Sequence, residues 1–125
     1  LYPRAIAARA DVNRWLFWSA CHFAPACALF IRERVSKKVL GLGEADPAEI
    51  ARGEAQLPPV AAMLDEHLAG RAWIAQDRLT LADFAVAAPL MHGERAQLPL
   101  ANYANLQAWF ARVRATDAWQ ATETA

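Results

Sequence analysis

Residues 70–84 read GRAWIAQDRLTLADF and contain the clearest helix start in the chain. Thr80 is a residue type that caps helix N-termini, and Asp83 lies three positions later, in an acidic variant of the capping box. Leu79 and Phe84 occupy the two positions of a hydrophobic staple around this box. Because these local signals coincide, the sequence predicts that a helix begins at Thr80.

The chain before this segment predicts one very long helix. It follows Pro3, a favourable residue for a first helical turn, and it runs to about Leu40. We expect a kink at Pro25, because proline removes a helical hydrogen bond and clashes with the preceding turn. The glycines of residues 41–43 end this helix.

Further helix signals follow at regular intervals. The Asp46-Pro47 pair supplies an N-cap and a proline at the first helical position, so a second helix is expected from there to Leu68, with a distortion at Pro58-Pro59. The other predicted helices run from Thr80 to Arg95, from near Asn102 onward, and through a short final turn after Asp117.

Composition favours an all-α fold. Alanine fills 30 of the 125 positions, whereas Val, Ile and Thr together fill 14, and alanine favours helices while β-branched residues favour strands. We therefore predict one helical bundle over residues 1–125, with four main helices and a short terminal one. Thirteen basic residues balance thirteen acidic ones, which argues against a nucleic-acid partner. No apolar run reaches the roughly 18–20 residues of a membrane span, so a membrane partner is not expected.

The cysteines and the first residues of the chain indicate the cellular compartment of the protein. Cys21 and Cys27 are too few for a disulfide framework, and they are predicted to be small buried apolar residues in a reducing compartment. The chain begins at Leu1 without an initiator Met or a secretory signal. We expect a piece of a longer, cytoplasmic protein.

The first predicted helix has two apolar faces that lie nearly opposite each other at 100° per residue. A surface helix needs only one apolar stripe. In one interpretation the tryptophans simply pack beneath the other helices. In the other, they form an aromatic wall with one imidazole, which suits a site for flat apolar molecules. The first face holds Ile6, Ala10, Asn13, Leu16, Phe17, Ala20, Ala24, Cys27 and Ile31; the second holds Asp11, Trp15, Trp18, His22 and Leu29.

No self-contained catalytic or metal-binding group is evident. His67 is expected at a solvated helix end, and His92 is ambiguous. The three histidines are far apart in sequence and neither cysteine belongs to a CxxC pair, so no metal site is predicted. The chain also lacks the glycine-rich phosphate loops and the GxSxG nucleophile turn.

Residues 70–84 resemble the hallmark of the C-terminal helical domain of bacterial-type cytosolic glutathione S-transferases, in which an apolar pair and a turn precede Leu-Thr-x-Ala-Asp. The resemblance covers essentially the whole chain. The other matching segments are Tyr2-Pro3, Arg9-Ala10, Trp15-Leu16, residues 39–43, Leu64-Asp65 with Leu68, and Leu106 with Ala108-Trp109.

This resemblance implies that a thioredoxin-like domain precedes the helical domain, binds glutathione as co-substrate and supplies the residue that engages the thiol. The present chain would then hold no catalytic residue and would be inactive alone. Its first helix would contribute to a homodimer interface and to the wall of the electrophile site. On that basis Asp11, Trp15, Trp18 and His22 would face the preceding domain and a small apolar electrophile.

Two positions depart from the family pattern. Gln76 stands where the family usually has glycine, so it must adopt a turn geometry that strains a side-chain-bearing residue by about 1 kcal/mol. His92-Gly93 replaces a more usual aromatic-small pair. Helical domains of this type also occur as non-catalytic interaction modules in elongation-factor subunits and beside tRNA synthetases, and that function is the alternative.

Overall fold

The chain folds into eight α-helices among residues 1–123, the part of the chain that this computed structural model describes. Every regular element in that range is helical, which confirms the predicted all-α class. The α-helices are α1 (Ile6–Trp18), α2 (Ala24–Ile31), α3 (Lys37–Leu40), α4 (Pro47–His67), α5 (Leu81–Ala87), α6 (Gly93–Ala96), α7 (Ala104–Arg114) and α8 (Asp117–Glu123), with π turns at Ser19–Phe23 and Arg32–Ser36 and a 3₁₀ segment at Ala88–His92.

Helices α1, α2 and α3 form one helical run from Ile6 to Leu40 that widens twice into π turns. The first π turn accommodates Pro25, whose nitrogen has no hydrogen to donate back along the helix. There the N–H of Ala24 donates to the carbonyl of Ser19, which lies five residues earlier; in an α-helix the acceptor would lie four residues earlier. The chain thus continues as a helix past the proline, with a local widening where we expected a kink.

The second π turn lies beside a buried carboxylate. Glu33 is almost completely buried, and its Oε1 accepts from Nζ of Lys37 at 2.6 Å and from the N–H of Asp46 at 3.1 Å. The Lys37 ammonium, together with the Asp46 N–H, lowers the pKa of Glu33. Because the native pKa is lowered, this interaction stabilises the fold above the carboxyl's usual pKa and is lost as pH falls through the native value.

Helix α4 begins as the sequence predicts. The Asp46 side chain caps it by accepting from the N–H of Ala48 at 2.9 Å. Pro58 and Pro59 lie within the helix without interrupting it, so the distortion expected there produces no break. Gly53 marks the closest approach to α2, since a Cβ on it would lie 2.7 Å from the ring of Phe30.

The segment after Thr80 starts as predicted but does not remain a single α-helix to Arg95. Thr80 and Asp83 close a capping box, and Leu79 and Phe84 on either side are half-buried. After Ala87 the chain tightens into the 3₁₀ segment that contains Pro89, since proline cannot continue the α-helical hydrogen bonds. Helix α6 then ends at residue 97, which adopts the left-handed conformation.

Asp83 connects three separate parts of the chain. Its side chain is fully buried, and it accepts hydrogen bonds from the N–H of Thr80 at 2.9 Å, the N–H of Ile74 at 3.0 Å and the indole N–H of Trp109 at 2.8 Å. One carboxylate thus ties the connector before α5, the first turn of α5 and the middle of α7. The Thr80 hydroxyl completes the cap by accepting from the N–H of Ala82 at 3.3 Å.

The core lies between α4, α5 and α7, with α1 and α2 packed along them. None of the helices in residues 1–123 has both the length and the apolar character that a membrane crossing requires. The largest fully buried side chains are Trp109, Phe23, Phe30, Leu57, Leu64, Leu68, Ile74 and Leu106.

The Asp83 interactions predict a large difference between two aspartates six positions apart. Asp83→Ala should lower the free energy of unfolding by at least about 3 kcal/mol, because three buried donors lose their acceptor. Asp77→Ala is the matched control and should change it by less than about 0.5 kcal/mol, because Asp77 is exposed. Urea unfolding followed by circular dichroism measures both. Equal effects of the two substitutions would contradict the role of Asp83.

Candidate functional site

The inner side of α1 carries one buried stripe. Val12, Trp15 and Ser19 follow each other at helical spacing, and each is buried against the bundle. The Ser19 hydroxyl donates to the carbonyl of Ala85 at 3.3 Å, which links the end of α1 to α5. Trp15, predicted as part of a substrate wall, is only 7% exposed.

Trp15 and Trp18 belong to a chain of aromatic rings in contact with each other. The Trp15 ring lies 4.3 Å from the imidazole of His67 and 5.2 Å from the ring of Trp18, which in turn stacks on Phe23 at 5.5 Å. Nε2 of His67 is 2.7 Å from the carbonyl oxygen of Ile74, so His67 is part of the packing and not the solvated residue that we expected. Trp18 is half-buried, and the exposed part of its ring is the aromatic surface that this cluster presents to solvent.

Asp11 is held in place from two sides. Its carboxylate accepts from Nη2 of Arg14 at 2.7 Å and from Nε2 of Gln76 at 3.0 Å. Gln76 has a φ of 58°, so it adopts the left-handed conformation that its place in the turn predicted. The bond to Asp11 therefore fixes a strained residue of the connector against α1.

The predicted assignment of the two faces of the first helix is wrong. The resemblance implied that the face with Trp15, Trp18 and His22 is turned toward a preceding domain and away from this chain's own bundle. Instead, Trp15 is buried, whereas Ile6 is 86% exposed and Phe17 71% exposed. We refer to Ile6, Phe17 and the exposed alanines Ala10 and Ala20 as the outer face.

The π turn at residues 19–23 changes which of the side chains after it face the bundle. A π turn inserts one extra residue, so every later side chain is rotated by about 100° from its place on a uniform α-helical wheel. Cys27 is accordingly buried although it was placed on the face of Ile6. His22 is exposed and does not join the ring cluster of Trp15 and Trp18.

The chemistry of the remaining candidate groups is limited. Both cysteines are free, but only Cys27 is buried as predicted, and its burial raises the pKa of that thiol to about 12. Cys21 is exposed. Arg9 and Asn13 beside the Tyr2 hydroxyl lower the pKa of that phenol. Within residues 1–123 no three metal-ligating side chains are grouped.

The sequence of this helical domain matches the model of a known protein family. Residues 18–117 match the family model of the glutathione S-transferase C-terminal domain. The chain belongs to this family. The buried capping box at the start of α5 is the feature through which the sequence resembles this family. The outer face lies on the first long helix of the domain.

Three similar proteins illustrate the range of this domain. Glutathione S-transferase 3 of Zea mays is 30% identical over 124 residues, which cover 97% of this chain and 55% of that protein. Elongation factor 1-gamma of Artemia salina is 27% identical over 105 residues, which cover 82% of this chain and 23% of that protein. The solved structure of the theta class glutathione S-transferase of Xanthomonas axonopodis pv. citri with glutathione bound superimposes with a TM-score of 0.84 at 27% identity, covering all of this chain and 64% of that one. The glutathione S-transferase C-terminal domain therefore spans little more than half of these transferases.

The two left-handed glutamines give a test of the contact between Gln76 and Asp11. Gln97 is also left-handed but its side chain has no hydrogen-bond partner among residues 1–123, so Gln97→Gly should raise the free energy of unfolding by roughly 0.5–1 kcal/mol. Gln76→Gly should leave it nearly unchanged, because the relief of strain is offset by loss of the bond to Asp11. In an Asp11→Ala background, Gln76→Gly should stabilise the domain as Gln97→Gly does. Equal stabilisation by both substitutions in the unaltered chain would show that the bond contributes nothing. Thermal unfolding measures all four variants.

Proposed function

We propose that this domain is the helical half of a glutathione transferase, in which a preceding thioredoxin-like domain packs on the outer face of α1. The full protein would join glutathione to a small apolar electrophile by attack of the glutathione thiolate on an electrophilic carbon. The helical domain would bind and orient the electrophile, and the thiol would be engaged by the other domain. A homodimer is part of the proposal.

The outer face is the observation that carries this proposal. Ile6 and Phe17 are large apolar side chains that are mostly exposed on the same side of α1. Burial of such side chains against a partner surface stabilises the contact, since each Å² of apolar area removed from water contributes about 25 cal/mol. The relatives that share this domain as transferases are nearly twice as long as this chain, which leaves length for the partner domain.

The predicted site residues receive different roles in this proposal. The exposed half of Trp18 and the exposed His22 would contact the electrophile, because both are accessible at the end of α1. Asp11 and Trp15 would hold that edge in position from beneath. The buried indole N–H of Trp15 has no acceptor among residues 1–123.

The exposed free thiol of Cys21 is consistent with a reducing compartment, and we propose that the protein is cytoplasmic.

The alternative function is a non-catalytic docking module, which the similarity to an elongation factor subunit supports. A docking module requires the outer face but gives no role to the ring cluster of Trp15 and Trp18. The two functions therefore differ in whether substitution of Trp18 changes catalysis.

The chain alone should have no conjugating activity. Purified chain mixed with glutathione and 1-chloro-2,4-dinitrobenzene should produce conjugate at the uncatalysed rate, measured by absorbance, because no residue of the domain is proposed to activate the thiol. Turnover that rises in proportion to the concentration of the chain would overturn the division of labour between the two domains.

In a protein that carries a thioredoxin-like domain ahead of Leu1, Trp18→Ala should raise the KM for the electrophile about tenfold. The exposed part of the Trp18 side chain offers on the order of 60 Å² of apolar contact, which corresponds to roughly 1.5 kcal/mol. The KM for glutathione should change less than twofold. Met63→Ala removes a more exposed apolar side chain on α4 and should alter neither constant. An unchanged electrophile KM in Trp18→Ala would favour the docking module.

A further inference from the structure

Three large apolar side chains are exposed together where the first helical run ends. Val39 and Leu40 are each 66% exposed, and Leu42, just beyond α3, is 65% exposed. We refer to these three residues as the apolar tip. The tip offers on the order of 300 Å² of apolar surface, and the largest apolar patch of a typical monomer is about this size and often functional. It shares no residue with the outer face of α1.

Hydrogen bonds on both sides hold the apolar tip in one conformation. Gly41 ends α3 in the left-handed conformation with a φ of 65°, and the N–H of Leu42 donates back to the carbonyl of Lys37 at 2.9 Å. The buried Glu33 carboxylate binds Lys37 before the tip and the N–H of Asp46 after it. Because these bonds fix the tip in advance, little conformational entropy is lost when the tip binds another surface.

A groove of about 660 Å³ lies near the apolar tip, between the segment after α5 and the last two helices. Its lining includes the apolar side chains of Leu98 and Phe110. Arg34, from the first helical run, donates to the carbonyl of Gln97 at 3.1 Å, and Gln97 also lines the groove. Val39 follows Arg34 by five residues, which is about 8 Å of helix, so the tip and the groove are neighbours on the surface of one chain.

The charges beside the apolar tip complement those of the groove. Lys38 and Glu44 are exposed next to the tip, and Glu94 and Arg95 are exposed in the lining of the groove. None of these four side chains has a hydrogen-bond or ion-pair partner among residues 1–123. A convex apolar surface and a concave one therefore each carry one uncommitted cation and one uncommitted anion.

We propose that two copies of this chain associate reciprocally, with the apolar tip of each in the groove of the other and Lys38 of each opposite Glu94 of the other. One tip in one groove would bury about 500 Å², too little for a specific interface, whereas the two contacts together bury about 1,000 Å². Because the tip and the groove are neighbours on each chain, one two-fold axis forms both contacts at once. The pair is weak and closed, and it does not depend on the proposed transferase activity.

Sedimentation velocity of the purified chain at increasing concentration tests this association. The average sedimentation coefficient should rise and then level off at the value of a dimer. Leu40→Asp should leave the chain monomeric, because a carboxylate loses its hydration in an apolar groove. Phe17→Asp is the matched control on the exposed outer face and should still dimerise. A chain that is monomeric at every concentration, growth beyond a dimer, or loss of the dimer in Phe17→Asp but not in Leu40→Asp would overturn the proposal.

Two variants that each lack one half of the contact identify what occupies the groove. Ala101 is exposed and lines the groove, so Ala101→Trp should fill it and give a monomer, whereas Ala108→Trp on the exposed side of α7 should still dimerise. When ¹⁵N-labelled Leu40→Asp is mixed with unlabelled Ala101→Trp, the one intact tip should shift the NMR signals of amides 93–101 in the labelled chain. With the labels exchanged, the shifts should appear at residues 37–46. Shifts absent from both mixtures, or confined to α1, would contradict the tip as the occupant.

Charge reversal tests how the two copies are aligned. Lys38→Glu and Glu94→Lys should each weaken dimerisation about threefold at low ionic strength, because each places like charges opposite each other. The chain with both substitutions exchanges the signs of the pair and should dimerise as the unaltered chain does. Arg71→Glu makes the same change of charge at an exposed position elsewhere and should leave dimerisation unchanged. Additive weakening in the chain with both substitutions would contradict the proposed pairing.

Discussion

The buried carboxylate of Asp83 is the interaction on which the arrangement of this domain depends. It accepts three hydrogen bonds in a place where water is excluded, and each donor comes from a different part of the chain. Without it, the connector that contains Ile74, the start of α5 and the indole of Trp109 would each hold an unsatisfied donor. The same connector carries Gln76, so Asp83 also determines where Gln76 meets Asp11 on α1. A local helix cap thereby sets the position of residues on the neighbouring helix α1.

The start of α5 could be predicted from the sequence because its signals are local. Thr80, Asp83, Leu79 and Phe84 lie within six consecutive residues, and their residue types alone specify the cap. The role of Trp109 as a third partner of Asp83 could not be predicted, because it lies 26 residues away and no short-range pattern links the two. The interruption at Pro89 of the helix predicted from Thr80 to Arg95 could also have been predicted from the sequence, because proline in a helix interior removes a hydrogen bond.

The two faces of the first helix show where pattern reading fails. A uniform 100° step separated the two faces, and the resemblance implied that the face with Trp15 looks outward, whereas the structure buries Trp15 and exposes Phe17. The stripe of Val12, Trp15 and Ser19 was present in the sequence, but a serine and a single valine give a weak apolar signal. The widening at residues 19–23 then shifted the phase of everything beyond it. Of the predicted site residues, Trp15 and Trp18 are in contact, Asp11 is held beside the connector, and His22 stands apart.

The most direct test of the role of Asp83 is native-state hydrogen exchange at the N–H groups of Ile74 and Thr80. Both residues lie outside the helices, where amides normally exchange through small local openings. If Asp83 binds both N–H groups within the core, their exchange should require global unfolding and be as slow as that of the core residues of α7. Exchange of these two amides at the rate of exposed loop residues, with α7 still protected, would contradict the account.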